Sequence, residues 1–233
     1  MTPDLSHVDT WLFDLDNTLY PHESGLTRQV DARMTEVVRT LTGLPDDEAD
    51  ALRERYLAEH GLTLRGLMLH HGVDPLAFNA LFHDITLESL AADPALAAAL
   101  ARLPGRRLIF TNADDVHAER VVDRLGLADL FHDVFHIGSA DFVPKPEAAC
   151  FARLIEAHAI RPAAAAFFDD RAVNLAPADA LGMTTVLVGA GAETNTDPFV
   201  GYRAPQLAEF LAAARVKEAV LDIENHSQLG SPA

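Results

Sequence analysis

The segment Trp11–Tyr20 reads WLFDLDNTLY, in which an apolar run ends in two aspartates one residue apart. If the run is a β-strand, its alternation directs Asp14 and Asp16 to the same face, so two carboxylates share a small volume. Like charges about 4 Å apart repel by roughly 1 kcal/mol in bulk water, and by about 4 kcal/mol at an effective dielectric constant near 20. A bound cation, a shared proton or solvation in an ordinary turn would relieve this repulsion.

An EF-hand calcium loop is one alternative for the same aspartates. A loop that begins at Asp14 has Leu19 where an EF-hand needs glycine, and Gly25 where it needs an acidic ligand. The EF-hand is therefore rejected, and a solvated turn that closes a buried strand remains the simplest alternative to a cation site.

Composition limits the class of protein and the class of partner. The 233 residues are 49% hydrophobic and carry a formal net charge of −17, which suits one large globular domain or one domain with an insertion. Phosphate backbones bind clustered Lys and Arg, so a nucleic-acid polymer is an unfavourable partner. We expect a small phosphorylated metabolite instead, held where cations collect locally, and we leave monomer and homodimer open.

Two features of the sequence indicate the cellular compartment: the number of cysteines and the character of the first residues. Cys150 has no second cysteine with which to form an internal disulfide. The segment 1–4 lacks a basic region, and no apolar run approaches the roughly 20 residues that a membrane span requires. The sequence therefore predicts a cytoplasmic protein with no membrane partner.

The spacing of apolar residues divides the chain into two kinds of structure. Over 21–95 it predicts helices and no strand, whereas short apolar strands alternate with helices elsewhere. Such alternation predicts an α/β fold with a Rossmann-like, five-stranded parallel sheet that has helices on both faces. The five strands are expected near 10–13, 107–111, 134–137, 164–168 and 185–188.

The domain organisation follows from where the helical stretch interrupts this alternation. We expect a core of 1–20 and 96–220, with 21–95 inserted after the first strand as an all-helical cap. Ligands of such sheets bind at the carboxyl ends of the strands, so the cap would cover the site. Residues 189–203 are expected to form a loop at that edge, and 221–233 a flexible tail.

Three further motifs are expected at this edge of the sheet. Thr111 and Asn112 follow the second strand, Lys145 stands between two prolines, and Asp169 and Asp170 end a buried strand. Taken singly, a threonine is often a helix cap and a lysine usually lies on the surface. Taken together, four carboxylates would bind Mg²⁺ through oxygen, while the lysine and the hydroxyl would hold phosphoryl oxygens.

This ordered set resembles the four motifs of the haloacid dehalogenase superfamily of phosphohydrolases, over residues 8–190. The resemblance implies a Rossmann-like core with a C1-type helical cap. It also implies that Asp14 attacks phosphorus to form an aspartyl phosphate, and that Asp16 acts as general acid and then as general base. The dehalogenases of the superfamily lack the second aspartate of the first motif, so Asp16 favours phosphate chemistry.

The same resemblance implies Mg²⁺ as the cofactor. Its ligands would be Asp14, the backbone carbonyl of Asp16, and Asp170, with Asp169 in support. Lys145 would neutralise charge on the nucleophile and the phosphate, and Thr111 and Asn112 would steady the transferred group.

Three longer segments resemble the pyrimidine 5′-nucleotidase branch, which acts on UMP and CMP: FDLDNTLYP at 13–21, GLTLRGL at 61–67 and TNAD at 111–114. The resemblance implies that Arg65 and the loop around His22 approach the nucleotide, although Arg65 is equally compatible with a salt bridge between helices. Arg171 replaces the small residue of many relatives, and it would pair with Asp169 or reach the substrate.

Two alternatives to a nucleotidase stay open: a sugar-phosphate or other small-metabolite phosphatase or phosphomutase, and a phosphate-binding module without activity. Histidines in the expected helices show no metal-ligand pattern, so we expect most of them to be surface or satisfied core residues. They are His70, His71, His83 and His117.

Overall fold

The structure is a computed structural model that describes residues 2–82 and 85–217. Within these residues six parallel strands form one sheet. They are β1 (Thr10–Phe13), β2 (Arg106–Phe110), β3 (Asp133–Phe135), β4 (Ala165–Asp169), β5 (Thr184–Val188) and β6 (Tyr202–Ala204). The order across the sheet is β3-β2-β1-β4-β5-β6, so β1 lies at the centre between β2 and β4. The predicted α/β class is confirmed.

The predicted number of five strands was wrong, because β6 lies in what was expected to be the end of the 189–203 loop. This strand has three residues and pairs in the described structure with β5, where Val186 is the partner of Tyr202. A strand this short at the sheet edge shows no alternation that the sequence could reveal.

Nine α-helices, counted over the same residues, accompany the sheet. They are α1 (Leu26–Thr42), α2 (Asp46–His60), α3 (Thr63–His71), α4 (Pro75–Phe82), α5 (Pro94–Ala101), α6 (Asp115–Leu125), α7 (Ala148–His158), α8 (Ala172–Ala180) and α9 (Leu207–Ala213). Three of the described helices begin at aspartate caps: the carboxylate of Asp74 accepts the N–H of Leu76 in α4, that of Asp93 accepts two N–H groups of α5, and that of Asp114 accepts the N–H of His117 in α6. No described helix is long and apolar enough to cross a membrane.

Alternation along the strands divides the core between the two faces of the sheet. Trp11 and Phe13 of β1 pack with α5, α6 and α9 on one face, whereas Leu12 packs with α7 and α8 on the other. All four residues of β1 and all five of β4 are buried. A sheet covered in this way leaves its strand ends as the place for a ligand.

The helices α1–α4 have a hydrophobic cluster of their own, which includes Val38, Leu52 and Leu67. Gly66 allows α2 and α3 to approach closely, because a Cβ at this position would lie 2.2 Å from Cγ of Tyr56. No strand occurs in the described part of 21–95. The expected tail at 221–233, like His83, lies outside the described residues.

Candidate active site

Lys145 is the central cation of the site, and its side chain is 1% exposed. Its Nζ donates hydrogen bonds of 2.8 Å to Oδ1 of Asp14, to Oδ2 of Asp169 and to the carbonyl of Phe110. These three acceptors use all three N–H groups of the ammonium. Burial lowers the pKa of Lys145, but the carboxylates of Asp14 and Asp169 outweigh burial and leave the pKa above its usual value.

Asp14 directly follows β1, and its backbone N–H donates to the carbonyl of Phe168 in β4 at 2.8 Å. The parallel ladder therefore fixes this residue at the centre of the carboxyl edge. Burial raises the pKa of Asp14 well above its usual value; Lys145 opposes the rise, and Asp169 and Asp170 add to it. Three carboxylates thus face one ammonium, so this corner carries an excess of negative charge.

That excess and its geometry fit a divalent cation. Carboxylate oxygens of Asp14, Asp169 and Asp170 lie within 4.8 Å of one another, and such oxygens are the ligands that Mg²⁺ prefers. Burial, followed by the charge of Asp169, raises the pKa of Asp170 to about 6. A cation at this position would relieve the repulsion that raises it.

Asp169 is fully buried and its oxygens already have protein donors. Besides Lys145, the backbone N–H of Arg171 donates to Oδ1 at 2.9 Å, and Nδ2 of Asn174 donates to Oδ1 at 2.9 Å. Asp169 is therefore suited to hold its neighbours in place, while Asp14 and Asp170 are suited to bind an ion. Asn174 was missed in the sequence, although it lies one helical turn beyond the acidic pair.

Asp16 stands across the cavity with two partners that the sequence did not reveal. The hydroxyl of Tyr20 donates to its Oδ1 at 2.5 Å, and Nε2 of His117 lies 2.8 Å from the same oxygen. Burial raises the pKa of Asp16, but the charge of His117 and the hydrogen bonds from His117 and Tyr20 outweigh it and lower the pKa. Burial lowers the pKa of His117, and Asp16 reverses this and raises it.

His117 is buried and hydrogen-bonded, as expected for a satisfied core histidine, but it also lines the cavity that Asp14 and Asp16 line. It lies in the first turn of α6, which begins just after the carboxyl end of β2, and so its ring reaches the crevice. The sequence did contain a signal for this role, because His117 lies in the first helical turn after a strand that carries one of the motifs. His70 and His71 lie on α3 instead, where they are exposed.

Thr111 and Asn112 follow β2 at the wall of the cavity. Oγ1 of Thr111 accepts the N–H of Ala113 at 3.0 Å, which leaves the hydroxyl hydrogen for another acceptor. The amide of Asn112 accepts the backbone N–H of Lys145 at 2.8 Å and donates to its carbonyl at 3.2 Å. The side chain of Asn112 therefore fixes the loop that carries Lys145.

A cavity of about 220 Å³ is lined by polar residues that include Asp14, Asp16, Thr111, Lys145 and Asp170. The helices α1–α4 and their connections form a helical unit, which supplies an apolar wall. This wall consists of Val30 and Met34 of α1 and Leu62 before α3. Arg171 also lines the cavity; its side chain is exposed, and its backbone, not its guanidinium, contacts Asp169.

Two residues that were expected to contact a substrate do not line this cavity. Nη1 of Arg65 donates to the carbonyl of Phe142 at 3.4 Å, which links the helical unit to the loop before Lys145. His22 lines a second cavity of about 610 Å³ that adjoins Asp170.

Comparison with known proteins gives three kinds of similarity. Residues 8–182 match the family described as haloacid dehalogenase-like hydrolase. Phosphate metabolism protein 8 of Saccharomyces cerevisiae is 30% identical over 193 residues, which are 76% of this chain and 60% of that protein. The chain thus spans about 60% of the length of this relative.

Among solved structures, a HAD phosphatase from Thermococcus onnurineus has a TM-score of 0.58 and 23% identity, covering 90% of this chain and 100% of that chain. L-2-haloacid dehalogenase from Xanthobacter autotrophicus has a TM-score of 0.54 and 18% identity, covering 88% of this chain and 97% of that chain. These likenesses concern the fold, and a phosphatase and a dehalogenase share it. The residues at the strand ends must therefore distinguish the reactions.

Proposed function

Because this chain belongs to the haloacid dehalogenase-like hydrolase family, we propose that it is a Mg²⁺-dependent phosphomonoester hydrolase that acts through an aspartyl phosphate. The observation that carries the proposal is Asp16, whose carboxylate lies at the same cavity as Asp14 and Lys145. A phosphate ester needs a proton for its departing oxygen, and a second carboxyl group beside the nucleophile supplies one when it is protonated.

The proposed reaction has two steps. The carboxylate of Asp14 attacks phosphorus, the ester P–O bond breaks, and the departing oxygen takes a proton from Asp16. Asp16 then removes a proton from water, whose oxygen attacks phosphorus; phosphate leaves and the carboxylate of Asp14 is restored. Each cycle consumes one water and returns both aspartates to their starting states.

Other side chains stabilise the charge that develops during transfer. Lys145 neutralises Asp14 and the phosphoryl oxygens, and Thr111 can donate its hydroxyl hydrogen to one of them. Asp14, Asp170 and the backbone carbonyl of Asp16 would hold Mg²⁺, which when bound supplies further positive charge beside the phosphoryl group.

For the substrate, we propose pyrimidine nucleoside 5′-monophosphates, on the resemblance of 13–21, 61–67 and 111–114 to that branch. A second candidate is a smaller phosphorylated metabolite such as a sugar phosphate. The cavity volume of about 220 Å³ favours this second candidate, as does the place of Arg65 outside the lining.

A phosphate-release assay across UMP, CMP, purine nucleotides, sugar phosphates and pyridoxal phosphate tests the proposal, with Asp14→Asn as the isosteric control. We expect release that requires Mg²⁺, stops in excess EDTA and is lost in Asp14→Asn, while circular dichroism shows the fold unchanged. Release that persists in Asp14→Asn would contradict the aspartyl phosphate. Transfer between two positions of one molecule would identify a phosphomutase, and the absence of both reactions would identify a binding module.

A further inference from the structure

Asp16 is held by two buried donors, although its own side chain is partly open to the cavity. The side chain of Asp16 is 35% exposed, whereas Tyr20 and His117 are each 4% exposed. Buried partners thus hold the carboxylate of Asp16, which remains accessible to a substrate from the cavity. A carboxylate with that exposure and no fixed partners would sample several rotamers.

The two donors belong to separate parts of the fold, and each is fixed independently of Asp16. Tyr20 packs in the core cluster beside β1, at the end of a turn in which the N–H of Leu19 donates to the carbonyl of Leu15 at 3.0 Å. The backbone N–H of His117 donates to the carboxylate of Asp114 at 2.8 Å. Two rigid donors from different elements define both the position and the rotation of the carboxyl group.

Both donors contact the same oxygen of Asp16. Oδ1 receives Tyr20 and faces Nε2 of His117, while Oδ2 accepts no hydrogen bond from residues 2–82 and 85–217. Burial and the neighbouring Asp16 raise the pKa of the Tyr20 hydroxyl, so it stays a donor. Oδ1 can accept from both donors whether or not Asp16 is protonated, so when the carboxyl group carries a proton, that proton belongs to Oδ2.

We infer that Tyr20 and His117 are positioning residues, which bind Oδ1 of Asp16 so that Oδ2 is the oxygen that exchanges the proton with the leaving group and with water. The inference rests on the proposed function, because it assigns parts to the acid and base of that reaction. Tyr20 and His117 do not touch the substrate themselves; they act through the orientation of Asp16.

This arrangement matters most where the departing oxygen needs a proton. An alkyl phosphate such as a nucleotide or sugar phosphate has a basic leaving oxygen, whereas p-nitrophenyl phosphate releases a stable phenolate without one. The parameter kcat/KM covers the steps through the first irreversible one, so it reports the attack of Asp14 and the departure of this oxygen.

The test compares kcat/KM for an alkyl phosphate and for p-nitrophenyl phosphate in Tyr20→Phe, His117→Ala and His117→Gln. We expect Tyr20→Phe and His117→Ala to lose about tenfold to a hundredfold on the alkyl phosphate and much less on p-nitrophenyl phosphate. Gln keeps an N–H group near the imidazole position, so His117→Gln should recover part of the loss. Tyr56→Phe and His71→Gln are matched controls, because their hydroxyl and ring nitrogen contact each other at 3.0 Å on α2 and α3.

The outcomes separate this inference from the proposed function. An active wild type whose Tyr20→Phe and His117→Ala variants lose equally on both substrates, or on neither, would overturn the positioning role. Tyr20→Phe alone decides the matter if His117→Ala does not fold. A wild type without phosphatase activity, or an active Asp14→Asn, would overturn the proposed function and this inference with it.

Discussion

Nζ of Lys145 and Oδ1 of Asp14 lie 2.8 Å apart, at a place where Lys145 also serves as the counterion of the buried Asp169. One side chain therefore neutralises both Asp14, the proposed nucleophile, and Asp169. Removing one partner of a buried ion pair leaves an uncompensated charge, which is more costly than removing both. We therefore expect stability and the proposed activity to depend on the same ammonium.

We expect Lys145→Met to lower the free energy of unfolding by roughly 3–5 kcal/mol and to abolish turnover. Urea denaturation in EDTA gives the first quantity and phosphate release the second. Lys217→Met is the matched control, since Lys217 is exposed and surface changes usually stay within about 0.5 kcal/mol. Wild-type stability in Lys145→Met would show that the aspartates are not held as ions by this lysine.

Thr111→Ala should slow turnover by about tenfold to a thousandfold, the range for the loss of one donor to a transition state. Thr111→Ser keeps the hydroxyl and should retain most of the rate. Steady-state kinetics with a single phosphate ester distinguishes the two variants. If Thr111→Ala turns over like the wild type, the hydroxyl serves as the acceptor of the Ala113 N–H and has no part in catalysis.

The stabilising effect of Mg²⁺ should depend on pH through Asp170. Its pKa is raised from 3.8 to about 6, so below pH 6 an ion must displace a proton from this carboxyl, and binding weakens as the pH falls. Thermal unfolding with and without Mg²⁺, above and below pH 6, should show the larger rise in Tm at the higher pH. An equal rise at both would exclude Asp170 as a ligand that titrates in this range.

The raised pKa of Asp170 also makes the stability of the metal-free protein depend on pH. Because the folded state holds the proton of Asp170 more tightly than the unfolded state does, this group favours folding at low pH, and its contribution is lost as the pH rises from about 4 to 6. Asp170→Asn removes the titration. Metal-free unfolding of this variant should therefore vary less with pH over that interval than unfolding of the wild type.

Gly66→Ala should destabilise the helical unit. The added Cβ would lie 2.2 Å from Cγ of Tyr56, so α2 and α3 must separate, at a cost of about 1–3 kcal/mol for overpacking. Gly191→Ala is the control, because a Cβ there has no described atom within 4 Å. Thermal unfolding of both variants measures the difference; equal Tm values would mean that the helix pair tolerates a wider spacing.

The sequence was sufficient for features that depend on local periodicity. The repeated strand and helix pattern led to a parallel sheet, and the apolar run before Asp14 is the strand β1, which ends at Phe13. It was insufficient for β6, whose three residues are too few to show alternation, and which is identified by its pairing with β5.

Contacts between residues that are far apart in the sequence could not be predicted either. His117 and Asp16 are separated by 101 positions, and they meet because β1 and β2 are neighbours and α6 begins at their common edge. Asn112 similarly holds the backbone of Lys145, which the motif alone does not indicate. Motifs identify the reacting groups, whereas the groups that orient them depend on the order of the strands.

The central place of β1 has a consequence for the nascent chain during translation. Thr10 leaves the ribosome before both of its sheet partners, Arg106 and Ala165. The hydrophobic cluster of α1–α4 is formed by residues that lie between Thr10 and Arg106 in the sequence. The helical unit can fold through local contacts before the neighbouring strands of β1 have been synthesised. Asp14 meets Lys145 and Asp169 only once β4 has been synthesised, so a ribosome-bound fragment that ends before Ala165 lacks the assembled site.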